Sequence, residues 1–156
     1  MKFRLELPIH KPRTEVWKFF SNPENAKLWQ LSLTKVESIR GVPGQPSSES
    51  RWTYLENERE FSLDETVLAG EEPSQFESQF ENQFARNTVK NTFMEQGDNE
   101  TLWILETNYK FKTLLMKIAG PILKKNYVAR SRREMERFKE VIESERFKDN
   151  LGLIQK

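Results

Sequence analysis

The sequence predicts an α+β fold: an antiparallel sheet of about six or seven strands wrapped on a long C-terminal helix, with two short helices after the first strand. Three observations carry this. The run KPRTEVWKFFSNPENAKLWQL, from Lys11 to Leu31, reads as two short helices back to back. Period-two alternation dominates from there to Phe111. From Lys112 onward the period is helical and stays so.

The elements follow in order. Phe3-Arg4-Leu5-Glu6-Leu7-Pro8-Ile9 alternates apolar and polar residues, the period of a half-buried strand. Pro12 has a fixed φ that suits the first turn of a helix, and Val16, Phe19 and Phe20 then share one face, which predicts a helix over Pro12–Phe20. Ser21 and Glu24 have capping-box spacing and Pro23 fits a first turn, so a second helix is predicted over Pro23–Leu31, with Leu28 and Trp29 on its apolar side. Val36 to Arg40 is a weak strand ending at Gly41, and GVPGQPSSES (Gly41 to Ser50) is the clearest loop.

Arg51 to Leu55 carries Trp52 and Tyr54 at period two. Phe61, Leu63, Glu65 and Val67 share the next strand's apolar face, and Ala69 to Pro73 turns the chain. Phe76, Phe80 and Phe84 recur every four residues, which suits a helix and equally one face of a strand. Strand is preferred, because β-prone Thr88 to Phe93 needs a hairpin partner; Asn82-Gln83 or Ala85-Arg86-Asn87 is the candidate turn. Gln96-Gly97-Asp98-Asn99 is hairpin chemistry before the strongest strand, Thr101 to Phe111, with Trp103, Leu105, Thr107, Tyr109 and Phe111 on one face.

The last predicted element is a helix from about Lys112 to Arg146. Leu114, Leu115, Ile118, Ala119 and Ile122 form one stripe, which Gly120-Pro121 interrupts. Beyond it the stripe resumes, rotated, as Tyr127, Ser131, Met135, Phe138, Val141 and Ile142. A kink is therefore expected, with Ile118 and Ile122 on a different part of the sheet from Tyr127 and Phe138. Lys124, Lys125, Arg130, Arg132, Arg133, Glu136, Arg137 and Lys139 read as a solvated face with helical ion pairs, in preference to a membrane or anionic-partner surface.

Composition bounds the function. The 156 residues fit a single domain over 1–146 with a tail at 147–156. A net charge of +1 gives no reason to expect a nucleic-acid partner. Zero cysteines exclude disulfides, thiolate metal sites and a cysteine nucleophile. The N-terminus is a charged strand with no signal-peptide character, and the longest apolar run, Leu114 to Leu123, is broken by Lys117 and is about half a spanning length. The expectation is a cytoplasmic protein without stable membrane insertion.

With its elements in this order the chain resembles the START/SRPBCC superfamily, in particular its polyketide cyclase/dehydrase-like bacterial branch. The superfamily also includes coenzyme Q-binding proteins and the birch-pollen allergen. The resemblance rests on IHKPRTEVWKFFSNPENAKLWQ, the YKFKTLLMKIAGPIL junction and MERFKEVIE, and covers Met1 to about Ser144. It implies a helix-grip fold, with a ligand cavity between the curled sheet and the long helix. The allergen-like branch has a glycine-rich loop where this chain has GVPGQPSSES, so that branch is a poor match.

Catalytic chemistry is sparse. His10 is the only histidine, which excludes a two-histidine metal site, and its place beside Pro12 suggests a solvent-facing edge. There is no phosphate loop, H-E-x-x-H or nucleophile elbow. No catalytic residue, metal or cofactor is assigned. Glu65 points inward if Phe61 and Leu63 do, and burial would then raise its pKa; a one-residue register slip would instead leave it paired in solvent. Given the resemblance, the expected cavity lining is Trp52, Tyr54, Phe61, Glu65, Phe80, Trp103, Tyr109, Ile118, Ile122 and Tyr127. The primary expectation is binding of a small hydrophobic or amphipathic molecule. The alternatives are a cyclase/dehydratase-type enzyme using a cavity carboxylate or tyrosine, and a co-chaperone-like interaction protein.

Overall fold

Side-chain alternation along seven strands produces one antiparallel sheet in the computed structural model, which describes residues 1–144. The strands are β1 (Lys2–Ile9), β2 (Leu33–Arg40), β3 (Glu49–Glu56), β4 (Arg59–Glu71), β5 (Gln75–Glu81), β6 (Ala85–Glu95) and β7 (Thr101–Phe111). Their spatial order is β1-β7-β6-β5-β4-β3-β2. Strands β2 to β7 are a meander of hairpins, whereas β1 crosses to the far edge and pairs with β7, from Lys2↔Asn108 to Ile9↔Thr101. Register shifts in β2 and between Val67 and Ala69 in β4 add local bend and twist.

The segment from Phe76 is a strand, with Phe76, Ser78 and Phe80 at one phase. Of the two candidate turns the chain uses Asn82. Its side-chain oxygen accepts from the backbone N–H groups of Phe84 and Ala85, at 2.9 and 3.0 Å, and closes the β5–β6 connection.

Two short helical pieces follow β1. Helix α1 spans Arg13–Ser21 and buries Val16, Trp17 and Phe19. The second piece is shorter than predicted: a 3-10 turn over Pro23–Asn25, then the single-turn helix α2 (Ala26–Trp29). Its cap is Asn22, whose Oδ1 accepts from the Glu24 N–H at 3.0 Å, so the capping-box reading of Ser21 is corrected.

The C-terminal helix breaks as the Gly120-Pro121 pair predicts, into α3 (Leu114–Ile122) and α4 (Lys124–Glu143). Thr113 caps α3 by accepting from Met116 N–H at 3.2 Å. The face presented by α3 is the main correction. Gly120 is buried against Phe111, so closely that a Cβ there would lie 2.1 Å from the Phe111 ring. The helix therefore turns its glycine and Met116 inward and its stripe outward: Ile118 and Ile122 are 62% and 76% exposed and face no part of the sheet. The small residue, not the apolar stripe, sets the contact. The predicted helix end at Arg146 and the tail at 147–156 lie outside the described residues.

The main core joins α1 and α4 to the concave face of β1, β6 and β7. Phe19, Phe93, Trp103, Phe138, Ile9 and Ile142 are almost fully enclosed. The Trp103 ring lies at its centre, 4.8 Å from Phe138, 5.9 Å from Phe93 and 6.0 Å from Trp29 between centroids. A smaller cluster of Ala26, Leu33 and Tyr54 packs beneath α2, so most of the concave face between these two clusters is not filled by the helices.

Candidate ligand cavity

The unfilled part of the concave face is a cavity of about 660 Å³. Trp52 and Tyr54 enter it from β3, Phe61 and Glu65 from β4, Phe80 from β5, Trp103 and Tyr109 from β7, and Tyr127 from α4. Ile118 and Ile122 are not part of its wall: on α3 the inward residue is Met116. The lining reaches both ends of the strands. Pro43 and Gly44 belong to the β2–β3 loop at one end, and Phe84 to the β5–β6 turn at the other.

Glu65 is at the inward phase, buried in the middle of the sheet. Trp52 Nε1 donates to its Oε2 at 2.8 Å and Ser78 Oγ donates to its Oε1 at 2.7 Å. Both donors come from neighbouring strands at the same phase, because Ser50↔Glu65 and Glu65↔Phe80 set the register. Burial pushes the Glu65 carboxyl above the usual carboxylate range, and the two donors pull part of the way back. A second polar group hangs from α4. Arg130 Nε donates to Glu134 Oε1 at 3.1 Å, and the same guanidinium meets Glu56 at 3.0 Å. It also lies 5.3 Å from the Tyr54 ring centroid and 5.9 Å from that of Phe61, which are stacked on each other.

The tyrosines are held differently. The Tyr54 hydroxyl donates to Gln30 Oε1 at 3.0 Å, and burial raises its pKa. Tyr109 packs 4.8 Å from Tyr127 between ring centroids, and burial pushes its hydroxyl up to about 12. Trp103 Nε1 donates to Asn91 Oδ1 at 3.0 Å. Three buried polar atoms of lining residues, Asn87 Oδ1, Thr107 Oγ1 and Trp29 Nε1, have no hydrogen-bond partner among the described residues.

Sequence reasoning missed Ser78, Asn91, Arg130 and Glu134 as wall residues. Their signal is phase. Ser78 alternates with Phe76 and Phe80, Asn91 with Val89 and Phe93, and Arg130 and Glu134 fall on the same helical stripe as Tyr127, Ser131, Met135 and Phe138. The reading of Arg130 as part of a solvated face is thereby corrected. His10 lies away from the cavity, with its imidazole exposed and 3.6 Å from the Glu100 carboxylate. Among the described residues, no group of three acidic or histidine side chains is placed to share a metal, and no helix is long and apolar enough to cross a membrane.

No protein-family model matches the chain, and no curated protein matches it in sequence. Solved structures do match its fold. A START superfamily protein from Mycobacterium smegmatis superposes with a TM-score of 0.76 at 14% identity, covering 91% of this chain and 97% of that one. Ara h 8.0201 gives 0.69 at 13% identity, covering 91% and 97%. Norcoclaurine synthase from Thalictrum flavum, in complex with dopamine and hydroxybenzaldehyde, gives 0.66 at 15% identity, covering 91% and 86%. Shared over nine-tenths of its length with such proteins, the architecture of this chain is the START/SRPBCC helix-grip fold.

Proposed function

We propose that the protein binds one small amphipathic molecule in this cavity, its flat apolar body against the aromatic walls and its polar end carrying both donors and acceptors. The observation that carries this reading is the make-up of the wall, with Trp52, Tyr54, Phe61, Phe80 and Tyr109 as aromatic surface and the Glu65 carboxyl and Arg130 guanidinium as polar groups on the same lining. The cavity volume of about 660 Å³ falls in the range of small-molecule sites. The bound dopamine and hydroxybenzaldehyde of norcoclaurine synthase, both small and aromatic, belong to the chemical class this wall suits.

The test is titration with the fluorescent probe 1-anilinonaphthalene-8-sulfonate, together with native mass spectrometry of the purified protein. The expected result is a saturable isotherm near one site. It should be weakened by Trp103→Ala and unchanged by Arg132→Ala on the exposed face of α4. Absence of saturable binding and of any co-purifying molecule would refute the reading and favour a protein-interaction role.

Glu65 supports a second reading, a cyclase/dehydratase-type enzyme. Its carboxyl, its pKa raised by burial, lies on the cavity wall, which suits a general acid or base. Under that reading Glu65→Gln abolishes turnover of a bound substrate while probe binding persists, and His10→Ala leaves turnover intact.

A further inference from the structure

Helix α3 presents to solvent what it was expected to bury. Leu114 and Leu115 are each 75% exposed, and Ile118 and Ile122 complete one continuous apolar face. The charges carried by α3 and by the chain on either side of it are all of one sign. From Thr107 to Arg133 the sequence has no acidic residue, and Lys117, Lys124 and Lys125 are exposed and make no ion pair with the described residues. A chain of net charge +1 thus places three unpaired lysines beside its most exposed apolar helix.

We propose that α3 is a docking surface for an anionic lipid bilayer, lying in the interface with Leu115, Ile118 and Ile122 buried among the acyl chains and the three lysines at the headgroups. The pairing of an apolar face with unneutralised lysines is the physical signature of interfacial binding. Charge argues against the other occupants. A symmetric dimer through this face would oppose the lysines of one copy to those of the other. The residues after Ser144 hold Arg146, Lys148 and Lys156 against Glu145 and Asp149, and so bring no complementary negative charge.

The place of α3 adds a functional meaning. Its N-terminal end adjoins the β5–β6 turn, where Lys112 N–H donates to Phe84 O at 2.8 Å, and both Phe84 and Met116 line the cavity. Docking sets that end of the cavity against the bilayer, where an amphipathic ligand partitions. The docking itself does not depend on what the cavity holds.

Co-sedimentation with phosphatidylcholine vesicles, with and without phosphatidylglycerol, tests this on the full chain. The protein should bind the anionic vesicles and not the neutral ones, and release as salt is raised. Each of Lys117→Gln, Lys124→Gln and Lys125→Gln should weaken binding about fivefold. Ile118→Asp with Ile122→Asp should abolish it while circular dichroism and probe binding stay as in the wild type, since both side chains are exposed. Equal binding to both vesicle types, no binding to either, or wild-type binding by the double variant would overturn the proposal. So would a dimer seen by sedimentation velocity that the double variant dissolves, which would assign the face to a second copy.

Discussion

Replacing Trp103 tests how the core and the cavity wall share one side chain. The indole is 1% exposed, with four aromatic neighbours within about 6 Å, and its Nε1 donates to Asn91 at 3.0 Å. Trp103→Ala should cost about 3–5 kcal/mol for the lost packing, and about 1 kcal/mol more for the orphaned Asn91 oxygen. A total of about 4–6 kcal/mol is a large part of a typical domain's stability and predicts a Tm lowered by roughly 8–24 °C at this chain length. Trp103→Phe keeps most of the apolar contact and loses the hydrogen bond, for about 1–2 kcal/mol. Urea unfolding followed by far-ultraviolet circular dichroism measures both, since Trp17, Trp29 and Trp52 would confuse a fluorescence signal. A cost under about 2 kcal/mol for Trp103→Ala at unchanged m-value would show that the ring is not packed as described. Equal costs for the two variants would show that the hydrogen bond, not the packing, holds the site.

Three more expectations follow from the polar groups and the α3 contact. Folding raises the Glu65 pKa, so the carboxyl stabilises the wild type most fully below its ordinary value of about 4.3 and loses that contribution as pH rises through the folded value. Glu65→Gln, with no such titration, should gain stability relative to wild type as pH rises above about 4.3 in parallel urea titrations; a constant difference would contradict this. Arg130→Met leaves Glu134 without its guanidinium and should cost about 1–3 kcal/mol, part of which Arg130→Met with Glu134→Met recovers; purely additive losses would argue against the coupling. Gly120→Val drives a side chain into Phe111, itself held between Tyr109 and Tyr127, and should cost about 1–3 kcal/mol. Hydrogen exchange should speed up at α3 amides such as Lys117 and Leu123 while α4 stays protected; unchanged exchange would mean that α3 does not rest on its glycine.

The fold was legible wherever one period ran unopposed. Phe61, Leu63, Glu65 and Val67 fix the face of β4, and Thr101 to Phe111 fixes that of β7, because strands half-covered by helices must alternate. Side-chain polarity misled at two places. The stripe of α3 reads as core, but an apolar pattern says only that a helix has two faces; Gly120 against Phe111 decides which one meets the sheet. Arg130 reads as solvent-facing because it is charged, yet Glu134 neutralises it and its guanidinium covers two aromatic rings. The inward face of Glu65 needed its partners Trp52 and Ser78, which belong to other strands and are invisible to local pattern.

The crossing of β1 to β7 also shapes how the chain reaches this state. Each hairpin from β2 to β7 closes over a short connection, whereas pairing Ile9 with Thr101 closes a loop spanning nearly the whole sheet. On polymer scaling that closure costs about 3 kcal/mol more than a tight hairpin. The meander should therefore zip early and β1 should seat late, with α1 and α2 completing the core only as it does. Until then the edge of β7, with Trp103 and Leu105, stands unpaired, which makes the interval before β1 arrives the time when self-association is most favoured. During synthesis β1 emerges well ahead of its partner, so assembly of the core waits on the arrival of β7.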